Sequence, residues 1–205
     1  MSAILQEVYG QKTTFRLNQN VFRGSTPDEV DLRDLFPDST KVLSGHLPYP
    51  FLREIVEQDN PRLITWLRDP VERVLSNYYW RLNLDRSNRL EQNLDPAKDM
   101  TLEEFIYIPK NQNRMSTFLE GLSLNDLFFL GLMETYDRDL EALAHKLNWK
   151  KVPRIHTNVN PTFIKEPRQV SPDLRSEMIR LNALDIALYQ EARSLQSSIN
   201  QSLWS

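Results

Sequence analysis

Arg68 and Ser76 stand eight positions apart, with Asp69-Pro70 directly after the arginine and Arg73 between. A guanidinium presents a planar fork of donors and a hydroxyl adds one more. Brought to one side of the chain, the pair suits the oxygens of a phosphate. The plainer alternative is an Arg68–Asp69 or Arg68–Glu72 surface pair beside a solvated Ser76, and spacing alone leaves both open. A second candidate is His46, which follows Gly45. Imidazole titrates near 6.5 when unperturbed, which suits it to take a proton from a hydroxyl. A hydrogen-bonded histidine of purely structural role is the alternative there.

The elements that must position Arg68 and Ser76 are legible around them. Leu63 to Leu67 is a short apolar run with a β-branched residue and a tryptophan, the pattern of a covered strand. Asp69 then offers an N-cap, Pro70 a first helical residue, and Glu72 the partner of a capping box. Val71, Leu75, Tyr78 and Leu82 recur at helical spacing and give that helix one apolar face. Arg68 thus closes a strand, and Ser76 lies about two turns into the following helix. In open α/β sheets ligands favour the carboxyl edge, and a helix N-terminus attracts anions.

The stretch Arg68-Asp-Pro-x-x-Arg73-x-x-Ser76-x-Tyr78 resembles the 3′-phosphate-binding motif of sulfotransferases that use 3′-phosphoadenosine 5′-phosphosulfate (PAPS). Their carbohydrate sulfotransferase branch is the most similar. Gly45-His46-Leu-Pro-Tyr49 resembles the family's histidine segment. Phe129-Leu-Gly131-Leu-Met-Glu134-Thr-Tyr-Asp137 is similar to its later strand-to-helix turn, and Leu181-Asn-Ala-Leu-Asp185-Ile-Ala-Leu-Tyr189 to its C-terminal helix. The resemblance implies a P-loop-NTPase-like three-layer sandwich with a mainly parallel central sheet. It implies PAPS as donor, a carbohydrate or other hydroxyl as acceptor, Arg68 and Ser76 on the donor's 3′-phosphate, and His46 as general base. Sulfuryl transfer then needs an aligned acceptor, a base for its proton and positive groups over the leaving oxygen.

One part of that pattern is missing. The family holds the 5′-phosphosulfate with a lysine-bearing Gly/Thr loop after its first strand. The five glycines here (Gly10, Gly24, Gly45, Gly121 and Gly131) form no phosphate loop. Ala3 to Gly10 resembles the helix that should follow such a loop. The expectation is a sulfotransferase lacking its first strand and half its donor site, with little activity as it stands. Loss of that strand would call for the sheet to close, or for a homodimer partner to supply cover. The second expectation, from another class, is a non-catalytic nucleotide- or anion-binding protein derived from the same fold. A P-loop nucleotide kinase is disfavoured by the absence of Gly-x-x-x-x-Gly-Lys.

Composition sets the bounds. The 205 residues suit one domain, 1–205, with 40% hydrophobic and 26% charged residues. A net charge of −3 and a pI near 5.7 argue against a general nucleic-acid binder. There is no cysteine, and His46, His145 and His156 make no metal-ligand spacing, so no metal is expected. No apolar run approaches the roughly 20 residues of a membrane span, and the reading is cytoplasmic.

Along the chain the patterns predict a helix from Ser2 to Tyr9 capped by Ser2, and strands at Thr13–Leu17 and Lys41–Ser44. They predict a short helix from Thr26 to Phe36, another through Ile55 and Val56, and one opened by Thr101-x-x-Glu104. Phe118–Leu122 reads as helical, Leu127–Met133 as a strand, and Leu140, Leu143, Ala144 and Leu147 as one helix face. Ser171-Pro172-Asp173 caps a C-terminal helical region that breaks near Asn182 and runs towards Leu203. The interval Asp85 to Met100 is a candidate lid or acceptor-site insertion, or a plain surface loop. His145 reads as a surface residue, Arg73 as a partner of Asn77 or Glu72, and Glu134 with Asp137 as helix-start charges. His156, Arg154 and Lys165 stand as secondary candidates for an anionic pocket.

Overall fold

The computed structural model describes residues 1–22, 24–83, 100–153 and 170–203. In chain order, α1 (Ser2–Tyr9) leads to β1 (Thr14–Leu17), three short 3₁₀ turns and β2 (Val42–Gly45). Then come α2 (Tyr49–Asp59), β3 (Ile64–Leu67) and α3 (Pro70–Asn83). After them stand α4 (Leu102–Ile106), α5 (Arg114–Phe118), β4 (Phe129–Leu132), α6 (Tyr136–Lys146), α7 (Pro172–Leu181) and α8 (Ala183–Leu203). None of these helices is long and apolar enough to cross a membrane.

The protein is mixed α/β. β1 and β2 pair in parallel, with Leu17 opposite Gly45, and β3 pairs with β4. The described residues therefore hold two two-stranded sheets in place of one continuous central sheet. Each strand is four residues long and has a single neighbour.

Contacts divide the chain into two compact units. The first comprises Met1–Thr65, Thr117–Gly131 and Thr135–Asn158; the second comprises Trp66–Ser116, Leu132–Glu134 and Val159–Ser205. The first has a core of Leu17, Phe22 and Leu32, into which Phe51 of α2 packs with its ring 4.5 Å from that of Phe22. The second is organised on α3. Val71, Val74, Leu75 and Tyr78 bury against Phe105, Ile106 and Met178. Full burial of side chains of this size contributes about 1.5–3 kcal/mol each, so packing rather than intrinsic propensity holds α3.

Most local signals act as expected. Asp69 Oδ1 accepts the Glu72 amide at 3.0 Å, and Pro70, with no amide to satisfy, opens α3. Thr101 and Glu104 form a reciprocal capping box on α4. Ser171 caps α7 through the Leu174 amide, and the break falls at Asn182.

Three expectations are corrected. Met1, not Ser2, is the N-cap residue of α1. The segment after Thr26 forms 3₁₀ turns at Pro27–Glu29 and Leu32–Leu35 in place of one helix, because Asp31 starts a second cap by accepting the Arg33 amide. The helix placed at Phe118–Leu122 lies upstream at Arg114–Phe118, where a distant carboxylate holds its first turn. The Asp85–Met100 interval, apart from Met100, lies outside the described residues, as do Arg154, His156 and Lys165.

Candidate active site

β3 and α3 place Arg68 and Ser76 in one strand–helix unit, both half-buried. Among the described residues neither side chain makes a hydrogen bond or an ion pair. The Arg68–Asp69 and Arg68–Glu72 pairs that would have tied the guanidinium down are not formed. The acidic residue next to it is occupied otherwise, since Asp69 spends its carboxylate on the cap of α3.

The corner that carries Arg68 is braced from outside its own helix. The Asp69 amide donates to Glu134 Oε1 at 2.8 Å, in place of the expected return bond from Glu72. Glu134 follows β4 in a 3₁₀ turn, Met133–Thr135. Its second oxygen, Oε2, accepts the Tyr189 hydroxyl of α8 at 2.9 Å. Burial first, then the bond to Glu134 and the nearby charges of Glu134 and Asp69, push the Tyr189 phenol well above its ordinary pKa. Tyr189 is therefore a firm donor. The sequence reading of Glu134 as a simple helix-start charge is corrected by these two bonds.

Arg73, expected to pair with Asn77 or Glu72, pairs with neither and is held from outside its own helix. Its Nη2 donates to the Asn111 carbonyl at 2.8 Å, and its Nε lies 3.6 Å from Asp185 Oδ2. Asp185 is fully buried. It accepts the Met115 amide at 3.2 Å and both the amide and hydroxyl of Ser116 at 2.8 Å, and so caps α5. Burial lowers the pKa of Arg73, and Asp185 works against that shift. Asn111 completes the network: its Oδ1 accepts Arg81 Nη2 at 3.2 Å, and its Nδ2 donates to the Phe105 carbonyl at 3.0 Å. The sequence does carry a signal for this arrangement. Asn182 and Asp185 fall on the same helical spacing as the buried Tyr189 and Ala192, so two polar groups occupy a core-facing stripe.

His46 belongs to the other unit and is exposed directly after β2. Its ring meets that of Phe118 edge-on, with centroids 6.4 Å apart. Gly45 has φ +148°, and a Cβ built there would collide with the Leu17 carbonyl oxygen of β1. Only glycine lets the chain turn out of the sheet at this point. Gly45→Ala is expected to cost about 1–3 kcal/mol of stability, read by urea unfolding. A change below about 0.5 kcal/mol would show that β1 and β2 are not tightly registered there. His145 is exposed on α6, as the sequence predicts. Among the described residues no three His, Cys, Asp or Glu side chains gather as a metal site.

Comparison with curated proteins and with solved structures finds no match. The family model for the sulfotransferase domain matches residues 21–140, more than half of the chain. That span contains His46, the whole of β3 and α3, and the turn that carries Glu134. With that match the chain belongs to the sulfotransferase domain family, whose reaction is the transfer of a sulfuryl group.

Proposed function

We propose that the protein is built to use PAPS as donor and to transfer its sulfuryl group to a hydroxyl of a carbohydrate or similar acceptor, on a P-loop-NTPase-like sandwich, with turnover impaired where no lysine-bearing Gly/Thr loop holds the 5′-phosphosulfate. Arg68 and Ser76 hold the 3′-phosphate of the donor, and His46 takes the proton of the acceptor hydroxyl. The observation that carries this reading is the state of Arg68 and Ser76. A half-buried guanidinium and a hydroxyl one strand-to-helix turn away have no partner among the described residues. A phosphate would supply charge-assisted hydrogen bonds to both, beside the positive end of α3. The expected order of β3, Arg68 and α3 also supports it, since ligands of α/β folds sit at that strand edge.

When bound, the donor supplies an activated sulfuryl group; the residues here bind the nucleotide, and His46 moves a proton. Because His46 is exposed after a strand end, an acceptor hydroxyl can approach it from solvent.

Adenosine 3′,5′-bisphosphate is expected to bind more tightly than adenosine 5′-monophosphate, by calorimetry. A charge-assisted hydrogen bond contributes roughly 1.5–3 kcal/mol, so Arg68→Ala should weaken the bisphosphate about ten- to a hundredfold. Equal affinity for the two nucleotides in the wild-type protein would overturn the assignment of the 3′-phosphate.

A further inference from the structure

Arg68 is the only residue between the end of β3 and the cap of α3, so its direction depends on the backbone at Asp69. Three bonds fix that backbone. The Asp69 carboxylate holds the Glu72 amide, its carbonyl accepts the Arg73 amide at 2.8 Å, and its own amide is taken by Glu134. The first two belong to the helix itself. The third comes from 65 residues away and has no part in helix formation. Glu134 in turn is oriented by the Tyr189 hydroxyl, so both its oxygens are engaged at 2.8 and 2.9 Å.

We propose that Glu134 is a positioning residue for nucleotide selectivity: strung between the Asp69 amide and the Tyr189 hydroxyl, it fixes the corner from which Arg68 reaches the 3′-phosphate. This rests on the reading of Arg68 and Ser76 given above. The arrangement is otherwise hard to account for. A carboxylate at a phosphate site repels the ligand by its charge, and a neutral acceptor would cap the Asp69 amide without that cost. Glu134 is exposed, so water and salt screen the repulsion, while the two hydrogen bonds keep their geometry. The bracing outweighs the repulsion. The residue holds the backbone from which the arginine projects, and Tyr189 holds the residue.

The test is calorimetric titration of both adenosine 3′,5′-bisphosphate and adenosine 5′-monophosphate into four proteins: wild type, Glu134→Ala, Glu134→Gln and Tyr189→Phe. Amide exchange at Asp69 is followed in parallel by NMR. Glu134→Ala is expected to weaken the bisphosphate about tenfold and the monophosphate less than about twofold, with faster exchange at Asp69. Glu134→Gln keeps an acceptor for Asp69 and a donor for the tyrosine oxygen, and should stay within about threefold of wild type. Tyr189→Phe keeps the ring and removes one bond, and should cost about two- to threefold on the bisphosphate alone. It carries the test if the alanine variant fails to fold. Equal weakening of both nucleotides would mark a purely structural role and overturn the proposal. So would tighter binding of the bisphosphate by Glu134→Ala, which would make repulsion the dominant effect, or faster Asp69 exchange with unchanged affinity. A wild-type protein indifferent to the 3′-phosphate would instead overturn the Arg68–Ser76 reading, and this inference with it.

Discussion

In a form of the protein with a complete 5′-phosphosulfate site, His46→Ala is expected to slow sulfuryl transfer from PAPS by roughly 10²–10⁴ while leaving nucleotide affinity nearly unchanged. The expectation rests on the proposed role of the imidazole and on where the residue stands. His46 leaves β2 immediately after a glycine that only a missing side chain allows to pass β1, and its imidazole is exposed. The ring meets Phe118 edge-on and lies outside the two hydrophobic cores described above. A substitution there should therefore cost chemistry more than folding. Steady-state rates with a sugar-hydroxyl acceptor, beside a thermal melt, separate the two. A base missing from the transition state lowers kcat and kcat/KM together at an unchanged melting temperature. Full activity in the variant would move the base elsewhere. A large fall in melting temperature would make the histidine structural.

How much of this was readable from the sequence depended on how far each interaction reaches along the chain. β3 and α3 were legible because their signals are local: an apolar run, an aspartate cap, a proline and a helical apolar spacing within twenty residues. The same holds for Thr101 with Glu104 and for Ser171 with Leu174. α5 was not legible. Its first turn is held by Asp185, some 70 residues away, so no local cap marked Arg114 and the helix was sought at the more apolar Phe118–Leu122. Glu134 was missed as a functional element for the same reason, since its partners Asp69 and Tyr189 lie 65 and 55 residues off. Arg68 and Ser76 were candidates by type and spacing, the family resemblance pointed them to a phosphate, and their unpartnered state appeared only with the structure. A mainly parallel central sheet was expected from the family resemblance. Which strands hydrogen-bond to which is not written in the local patterns, and two pairs were found.

Asp185→Ala is expected to lower the stability of the protein by about 3–5 kcal/mol, the usual cost of removing one partner from a buried ion pair. The size follows from what the carboxylate holds. Arg73 Nε is buried without a hydrogen bond and has Asp185 as its counter-charge at 3.6 Å. The Met115 and Ser116 amides and the Ser116 hydroxyl lose their acceptor at the same moment. Each such donor left dry costs about 1–3 kcal/mol, less whatever water can reach it. Urea unfolding of the single variant and of Arg73→Met/Asp185→Leu separates charge from packing. If the penalty is the orphaned guanidinium, the double variant should recover at least half of the loss, because an apolar pair leaves no buried charge. If it recovers nothing, the α5 cap dominates, and the pair with Arg73 contributes little. A loss below about 1 kcal/mol in the single variant would show that water enters the network. The consequence for the nucleotide site is direct, since Arg73 precedes Ser76 by three residues on α3. An α8 carboxylate that holds Arg73 also sets the rotation of the helix that presents the serine, so Asp185→Ala should weaken adenosine 3′,5′-bisphosphate even where the protein remains folded.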